Sequence, residues 1–299
     1  QEGGQFFTDQ LVTDLAINIL ELNESDSKEL VDICAGTGGF LMSALRNYLR
    51  FEKPNSSKKI LNKIKLIGIE IDKSVAKMGN TSLSVSYPIC DGISIRSFNS
   101  LDLKNLPIND ERIKIGKHKF IATNPPFGSK ITIKDNSILD QYELARISGC
   151  SSNNIRHKTN SYYKRAPDVL FLEANIRLLE PGVGKIAIIT PYQILSGPQT
   201  YYVRHWILCN CHIEAVIDLP SETFQPHTGT KTSLLVLRKR IKPIVSPDKI
   251  DISDCPKTIF MSLPKEIGHD RRGNKIYKFD QTKSLYTNEV KTDLPMVAD

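Results

Sequence analysis

The sequence predicts an α/β fold with a doubly wound, mostly parallel sheet. Short apolar runs alternate along the chain with stretches of helical periodicity, which is typical of successive βαβ units. The apolar runs are continuous rather than alternating, as expected for strands that helices cover on both faces. The predicted strands are Leu30–Cys34, Lys65–Ile71, Phe120–Asn124, Lys185–Thr190, Ile213–Leu219 and Ser233–Arg238. The predicted helices are Asp9–Leu22, Gly39–Arg50, Lys73–Ser86, Val169–Leu179 and Tyr201–Leu208.

The composition is that of an ordinary globular protein. Of the 299 residues, 40% are hydrophobic and 24% are charged, which excludes a wholly disordered, collagen-like or coiled-coil chain. The formal net charge of +7 is compatible with a nucleic-acid partner but does not require one. No apolar run approaches the roughly 18 residues that span a bilayer, so we expect no membrane partner.

The six cysteines are scattered rather than paired at zinc-binding spacing. Cys209, Cys211 and His212 could form half of a metal site, but no second pair of ligands follows, so we expect no bound metal. Reduced thiols are typical of cytoplasmic proteins, and the chain begins at Gln1 without a signal peptide. We therefore expect a cytoplasmic protein, of which this chain is a piece.

Two segments depart from the alternation of strands and helices. Ser129–Pro167 carries seven Lys or Arg and three Asp or Glu, a local charge of +4, and is predicted to be a long loop that is either functional or mobile. From Ile241 onward, prolines and mixed charges replace the pattern. We therefore divide the chain into residues 1–240 and a C-terminal extension, residues 241–299. The extension is expected to dock a partner, to add a strand to the core or to belong to a longer domain.

A glycine-rich turn follows the first predicted strand. Gly36 and Gly38 stand where the strand ends and a helix begins, and glycines there let the backbone approach a ligand that a Cβ would exclude. Leu41 occupies the position of the third glycine in the dinucleotide-binding fingerprint, so that pattern fails. The turn indicates either a site for another ligand or a tight connection without one.

An acid, Glu70, ends the next predicted strand. The two oxygens of a carboxylate match the two adjacent hydroxyl groups of a ribose. A surface acid at a strand end is the alternative. Because Glu70 follows the glycine turn by one strand, the ribose-binding interpretation is favoured.

The most specific pattern is Asn124-Pro125-Pro126-Phe127, at the end of the strand Phe120–Asn124. The two prolines fix φ and withhold two backbone N–H groups, so nearby carbonyl oxygens can point outward. The Asn124 amide oxygen adds an acceptor and Phe127 adds an apolar ring face. Together these groups can hold an exocyclic amine and stack on its ring. The alternative is a Pro-Pro loop followed by a core phenylalanine.

With these motifs in this order, the chain resembles the N6-adenine DNA methyltransferases, in particular the modification subunit of type I restriction systems. The resemblance runs through most of the chain. Asn124 to Phe127 match the catalytic motif of that family, in which Asn, Asp or Ser precedes two prolines and an aromatic residue. Further matches are the opening signature Gly4–Thr8, Asp168–Phe171, the turn Leu179–Lys185, Ala215–Pro220, Ile259–Met261 and Ile267–Gly268.

This resemblance implies a Rossmann-like fold that binds S-adenosylmethionine, with residues 1–240 as the catalytic domain. The implied cofactor-binding residues are Phe7, Thr8, Asp32, Gly36, Gly38, Glu70 and Asp168. The family also has an acid after its fourth strand that contacts the adenine of the cofactor. Asn99 aligns best by position and Asp102 keeps the acid, so both remain candidates.

The implied reaction is methyl transfer to the N6 amine of an adenine flipped out of double-stranded DNA. The implied catalytic residues are Asn124, Pro125, Pro126 and Phe127, and the implied partners are a specificity subunit and a restriction subunit. The basic segment Ser129–Pro167 adjoins the catalytic turn, so we expect it to contact DNA. Its candidate DNA-binding residues are Lys158, Lys164 and Arg165.

Two other functions fit part of the pattern. Protein-glutamine and RNA-base methyltransferases also use Asn-Pro-Pro and an aromatic residue, but the opening Phe-Phe-Thr and the late segment Ala215–Pro220 favour the DNA enzyme. A non-catalytic scaffold with a methyltransferase fold is the other alternative. The intact glycine turn, Glu70 and the Asn-Pro-Pro-Phe motif argue against it, whereas the ambiguity between Asn99 and Asp102 leaves it open.

Overall fold

A computed structural model describes residues 7–22, 27–50, 63–87, 92–127, 132–147, 161–244 and 255–298. Its strands are β1 (Glu29–Asp32), β2 (Lys65–Glu70), β3 (Ile93–Ser97), β4 (Phe120–Thr123), β5 (Lys185–Pro191), β6 (Cys211–Asp218), β7 (Thr232–Lys239), β8 (Phe260–Ser262), β9 (Tyr277–Asp280) and β10 (Leu285–Val290). Its α-helices are α1 (Gln10–Ile19), α2 (Gly39–Arg50), α3 (Lys73–Ser86), α4 (Leu106–Asn109), α5 (Asn136–Leu139), α6 (Pro167–Leu178), α7 (Tyr192–Ser196), α8 (Tyr201–Asn210) and α9 (Leu294–Ala298).

Eight strands form one sheet in the order β3-β2-β1-β4-β5-β7-β6-β8. The first five strands in that order are parallel, β7 runs antiparallel to both of its neighbours, and β8 is parallel to β6. The strand order reverses between β1 and β4, and the carboxyl ends of strands at such a point form the usual ligand crevice of a doubly wound sheet. The remaining strands, β9 and β10, form a separate antiparallel pair.

Helices cover the sheet on both faces, as the continuous apolar strands predict. Successive strand residues point to opposite faces, so Val31 and Ile121 pack with α6 and α8. Leu30 and Ala122 pack on the other face with α1, α2 and α3. The predicted doubly wound, mostly parallel sheet is therefore confirmed.

All six predicted strands are present, but β3 was not predicted. Its Ile93 and Ile95 alternate with polar residues, which is the pattern of a half-exposed strand at the edge of a sheet. Asn80 of α3 satisfies this edge, since its Nδ2 donates to the Ile95 carbonyl at 2.7 Å and its Oδ1 accepts the Ile95 N–H at 2.8 Å. A search for continuous apolar runs misses such a strand.

The basic segment Ser129–Pro167 is more structured than predicted. Its described part contains α5 and buries Tyr142 and Leu144 in the core. The buried Glu173 carboxylate of α6 accepts the N–H groups of Glu143 and Leu144 at 2.9 and 2.8 Å. Residues 132–147 are therefore a packed loop with one short helix, and the function predicted for the segment stays a prediction.

The described part of the region after residue 240 contributes to the main sheet and to the core. Strand β8 extends the main sheet, with Ala215 of β6 opposite Phe260. Leu294 of α9 is buried in the same core cluster as α1. The addition of a strand, one of the alternatives left open by the sequence, is thus observed, whereas the boundary at residue 240 and partner docking stay predictions. No helix in the described ranges is both long and apolar enough to cross a membrane.

Candidate active site

The candidate site lies at the carboxyl ends of β1, β2 and β4, where the strand order reverses. β1 and β4 are neighbours in the sheet, and their last residues touch. The Thr123 hydroxyl donates to Oδ1 of Asp32 at 2.7 Å, and the Cys34 N–H donates to the same oxygen at 3.0 Å. The buried Asp32 carboxylate therefore joins the glycine turn after β1 to the Asn-Pro-Pro-Phe turn after β4.

The glycine turn leaves open space in front of its first glycine. Gly36 has φ of +54°, a left-handed conformation that favours glycine, and an added Cβ would meet no heavy atom within 4 Å. Gly38 has φ of +90°, and its added Cβ would stand 3.1 Å from the Ile95 side chain. The backbone at Gly36 can therefore be approached closely by a ligand, as the sequence predicted.

Substitution of Gly36 by alanine should weaken binding of S-adenosylmethionine, the cofactor implied by the resemblance. The left-handed backbone costs alanine about 1–2 kcal/mol of folding stability. A Cβ in the ligand space costs about 1–3 kcal/mol more in the complex, so the affinity should fall about 5- to 150-fold by calorimetry.

Gly116→Ala is the matched control for this substitution. Gly116 has φ of +73° and open space around its added Cβ. It lies away from the candidate site, in a turn near the end of α6, where its N–H donates to the Arg177 carbonyl. It should lose similar stability in urea unfolding and keep its cofactor affinity. Equal affinities for the two variants would show that no ligand approaches Gly36.

Glu70 of β2 holds the glycine turn from the neighbouring strand. Its Oε2 accepts the Gly36 N–H and its Oε1 accepts the Asp72 N–H, both at 3.0 Å. The side chain is buried, with 4% of its surface exposed. Glu70 therefore ties the end of β2 to the glycine turn, beside the open space at Gly36.

Burial raises the pKa of Asp32 to about 7, because water cannot hydrate the ionised carboxylate inside the protein. The hydrogen bonds from Thr123 and Cys34 oppose this effect, and the nearby Glu70 carboxylate adds to it. The second oxygen, Oδ2, is buried without a hydrogen-bond partner among the described residues. The end of β1 therefore holds an acid that titrates near neutral pH.

Asp32→Asn should reduce the loss of stability on raising the pH from about 5 to 8. The pKa of Asp32 is higher in the folded protein than in the unfolded chain. The contribution of Asp32 to folding stability is therefore fully present below the unfolded-state pKa, and it is lost as the pH rises through the folded-state pKa of about 7. Since one pKa unit corresponds to about 1.4 kcal/mol, the two units between pH 5 and the folded pKa of about 7 give a wild-type loss from this group of about 3 kcal/mol. Urea unfolding at both pH values measures it.

Asp110→Asn is a control of opposite sign. Hydrogen bonds from Arg112 lower the pKa of Asp110, so its contribution is lost at acidic pH instead. An Asp32→Asn protein with the same pH dependence as wild type would mean that Asp32 ionises normally in the fold.

The Asn124 amide is oriented by the segment before α1. Its Nδ2 donates to Oγ1 of Thr8 at 3.0 Å, which leaves Oδ1 as the free acceptor. That oxygen is buried and has no hydrogen-bond partner within the described ranges. Buried polar atoms are rarely unsatisfied in proteins, so this oxygen is suited to a donor on a bound ligand.

Phe127 differs from the prediction of an open stacking face. Only 2% of its surface is exposed, and its ring packs edge-on against Phe224 with centroids 5.8 Å apart and planes 79° apart. Stacking of an adenine on Phe127 therefore requires Phe224 or its neighbours to move aside. The sequence gives the residue type, but it does not show that another aromatic ring covers it.

The structure separates the two candidates for the contact with the cofactor adenine. Asp102 accepts hydrogen bonds on both oxygens, from Gln141 at 3.0 Å and from Asn105 at 2.6 Å. Burial is the largest single effect and raises its pKa, but these hydrogen bonds and the Lys104 charge together outweigh it and leave the pKa below its usual value. Asn99 is exposed, and its Oδ1 accepts the N–H of Leu101 at 3.1 Å. Asn99 is the more accessible of the two.

Asp168 lies in the first turn of α6 and has a buried, unpaired Oδ1 within the described part of the chain. Burial raises its pKa to about 6, against hydrogen bonds from backbone N–H groups. Phe7, predicted to close over the cofactor, is 61% exposed. The roles of both residues stay predictions.

The predicted DNA-binding residues have different surroundings. Lys158 lies outside the described residues, and Lys164 is exposed. The Arg165 guanidinium makes contacts within the protein: Nε donates to the Leu144 carbonyl at 2.9 Å and Nη2 to the Ile147 carbonyl. It also lies over the rings of two tyrosines at 5.0 and 5.1 Å. These contacts indicate a structural use of Arg165, and DNA contact by the segment stays a prediction.

A cleft that was not predicted from the sequence adjoins the Asn-Pro-Pro-Phe turn. This Phe224 cleft, of about 380 Å³, is lined among others by Thr8, Phe224, Gln225, His227, His269 and Arg272. Thr8, which lines the cleft, accepts the hydrogen bond from Asn124, and Phe224 packs on Phe127. The signal in the sequence was Phe224-Gln225-Pro226-His227, an aromatic residue and a proline shortly after a strand, as in the Asn-Pro-Pro-Phe motif.

Cys209 and Cys211 are both buried in the fold, and burial raises the pKa of the Cys211 thiol to about 12. Over the described ranges, no three His, Cys, Asp or Glu side chains are grouped so that they could hold a metal ion. The cysteines therefore act as core residues.

The sequence profile described as N-6 DNA methylase matches residues 1–291. The chain belongs to the N-6 DNA methylase family. It is 26% identical over 239 residues to the methylase subunit of the type I restriction enzyme EcoEI from Escherichia coli, and 26% identical over 249 residues to that of EcoKI from Escherichia coli K12. Each alignment covers 79% of this chain, but only 42% and 40% of the respective relatives.

Solved structures agree with this family at the level of the fold. The methyltransferase subunit of a type I restriction-modification system from Streptococcus thermophilus has a TM-score of 0.59 at 22% identity. The match covers 80% of this N-6 DNA methylase chain and 46% of that subunit. The predicted family and the Rossmann-like fold are thus confirmed, while the roles of individual residues stay predictions.

Proposed function

We propose that this chain transfers a methyl group from S-adenosylmethionine to the N6 amine of adenine in double-stranded DNA, as the catalytic part of a type I modification subunit. The observation that carries the proposal is the buried, unpaired Oδ1 of Asn124 beside the open glycine turn. Membership of the N-6 DNA methylase family supports the reaction class. The methylase subunits of EcoEI and EcoKI support the type I system as the setting.

The residues at the ends of β1 and β2 fit S-adenosylmethionine. Gly36 leaves space for the ligand, and the Glu70 carboxylate, which accepts the Gly36 N–H, is our candidate acceptor for the ribose hydroxyls. Asn99, rather than the doubly bonded Asp102, is our candidate for the contact with the cofactor adenine. When bound, the cofactor supplies a methyl group activated by its sulfonium.

Asn124 and Pro125 would act on the target amine. The N6 amine of adenine is a weak nucleophile, because its lone pair is delocalised into the ring. Oδ1 of Asn124 and the Pro125 carbonyl oxygen would accept its two hydrogens, which favours a pyramidal nitrogen with its lone pair free to attack. The effect is positioning and electrostatic stabilisation by oriented dipoles, and Thr8 fixes the orientation of the amide.

The fixed backbone of Pro125 and Pro126 keeps this arrangement rigid. Flipping the adenine out of the duplex costs a few kcal/mol of stacking, which contact with Phe127 would offset once Phe224 uncovers it. We further propose that a specificity subunit supplies the target sequence and that a restriction subunit joins the same assembly, in the cytoplasm.

The test is methylation of unmethylated DNA, with and without the cognate specificity subunit, followed by mass spectrometry of the nucleosides. N6-methyladenine is the expected product. Methylation of tRNA or of a protein glutamine, but not of DNA, would support the alternative methyltransferases instead. Failure to bind S-adenosylmethionine would leave the non-catalytic scaffold and overturn the proposal.

A further inference from the structure

The Phe224 cleft has two chemically different walls. Phe7, Phe224 and Pro226 provide apolar surface, and His227 and Arg272 provide cationic or donor groups. Its volume of about 380 Å³ is within the usual range for a small-ligand site. A flat apolar group joined to an anion matches such walls, and a nucleotide has that composition.

A rigid turn between β8 and β9 presents Arg272. The Asp270 carboxylate accepts the N–H groups of Arg272 and Asn274 at 2.8 and 2.9 Å, and the Gly273 N–H donates to the Asp270 carbonyl at 3.0 Å. Gly273 also lies against Pro226, since an added Cβ would stand 3.2 Å from its Cδ. The turn is thus held against the loop that carries Phe224.

The cationic groups at the cleft are available to an anion. The neighbouring Arg271 pairs with Glu222 at 3.3 Å, whereas the Arg272 guanidinium has no ion pair within the described ranges. Asp9 also lines the cleft, but its carboxylate accepts the Leu11 N–H at 2.8 Å as the cap of α1. Arg272 therefore brings a positive charge to the mouth of the cleft, which the nearby carboxylates of Asp270 and Asp9 partly offset.

We propose that Arg272, with His227 as a second donor, binds a DNA backbone phosphate flanking the flipped adenine. The inference rests on the proposed function and assigns it a phosphate site. An adenine that reaches Asn124 and Phe127 carries its own sugar and phosphates to the mouth of its pocket. The Phe224 cleft is at that mouth, because Phe224 packs on Phe127 and Thr8 bonds to Asn124.

Arg272→Gln should reduce the salt dependence of DNA binding. The probe is a fluorescent duplex with one bulged adenine, because an unpaired base costs least to flip. Anisotropy titrations between about 50 and 200 mM salt give the slope of log K against log salt, and loss of one phosphate contact lowers its magnitude by about 0.9. Arg272→Lys should keep most of the slope, since it keeps the charge.

Arg50→Gln is the matched control, because it removes the same charge from an exposed arginine at the end of α2. The end of α2 lies near the start of β1, since the Tyr48 hydroxyl donates to the Glu29 carbonyl. Arg50 is therefore near the amino ends of the strands, whereas the candidate site is at their carboxyl ends. A second probe with neutral methylphosphonates on both sides of the bulged adenine locates the contact. For the wild type, the slope of log K against log salt should be smaller with this probe than with the unmodified duplex. For Arg272→Gln, the two probes should give the same slope.

Equal slopes for Arg272→Gln and Arg50→Gln would overturn the inference. Additive losses from Arg272→Gln and the methylphosphonates would also overturn it, because they would place Arg272 on another phosphate. Assays of N6-methyladenine formation separate this inference from the proposed function. A protein that methylates DNA but shows no slope change in Arg272→Gln contradicts only the phosphate site. A protein that forms no N6-methyladenine with its specificity subunit contradicts the function itself.

Discussion

Asn124→Ala should lower the rate of adenine methylation by about a hundred- to a thousand-fold, the effect of removing one preorganised hydrogen-bonding group from a polar transition state. The alanine lacks the buried Oδ1 that is free to accept from the target amine. Binding of S-adenosylmethionine should change little, since Gly36 and Glu70 are untouched. Single-turnover methylation and calorimetry measure the two quantities separately.

Two variants control for the loss of the amide itself. Asn124→Asp keeps an acceptor oxygen, and aspartate also occurs at this position of the family's motif. The Asn124→Asp protein should therefore retain far more activity than the Asn124→Ala protein. Thr8→Val removes the hydrogen bond that orients Asn124 at 3.0 Å and should cause a smaller loss. Wild-type methylation by Asn124→Ala, with normal cofactor binding, would show that Asn124 does not contact the target amine.

Glu70→Ala should weaken binding of S-adenosylmethionine by about 10- to 150-fold. A hydrogen bond to a charged group contributes about 1.5–3 kcal/mol, which corresponds to that range of affinity. The substitution also leaves the N–H groups of Gly36 and Asp72 without their acceptors, so part of the loss comes from a less ordered glycine turn. Calorimetry gives the affinity, and urea unfolding gives the stability.

Glu29→Ala separates these two causes. Glu29 begins β1 and its Oε1 accepts the Lys119 N–H at 2.8 Å, so it is also an acid that holds a backbone N–H, but at the opposite edge of the sheet. It should lose comparable stability and bind the cofactor normally. Glu70→Gln, which keeps one acceptor oxygen, should lie between wild type and alanine. Equal affinity of the Glu70 and Glu29 variants would exclude Glu70 from the cofactor site.

Much of the fold could be predicted because the interior strands are continuous apolar segments. A strand such as Phe120–Thr123 is buried on both faces, and this leaves a sequence pattern that needs no knowledge of its neighbours. The edge strand β3 has no such pattern, and its backbone groups are satisfied by Asn80 from α3. A polar residue in a helix gives no local sign that it will pair with a distant strand.

The candidate site shows the same division. The sequence identified Gly36, Glu70 and Asn124, because a left-handed turn, an acid at a strand end and a rigid Pro-Pro motif each have local chemical requirements. It did not identify the bond from Thr8 to Asn124, which joins residues 116 positions apart. It also did not choose between Asn99 and Asp102, since the bonds that occupy Asp102 include one from Gln141.

The sequence by itself determined the interior strands of the sheet and the chemical groups at their carboxyl ends, because these follow from burial patterns and backbone conformations within short segments. Only the tertiary structure decided which of those groups are accessible. It covers Phe127 with Phe224, uses Arg165 inside the fold and brings Arg272 to the cleft that Phe224 lines. Accessibility depends on contacts between distant segments, and such contacts leave no pattern in the local sequence.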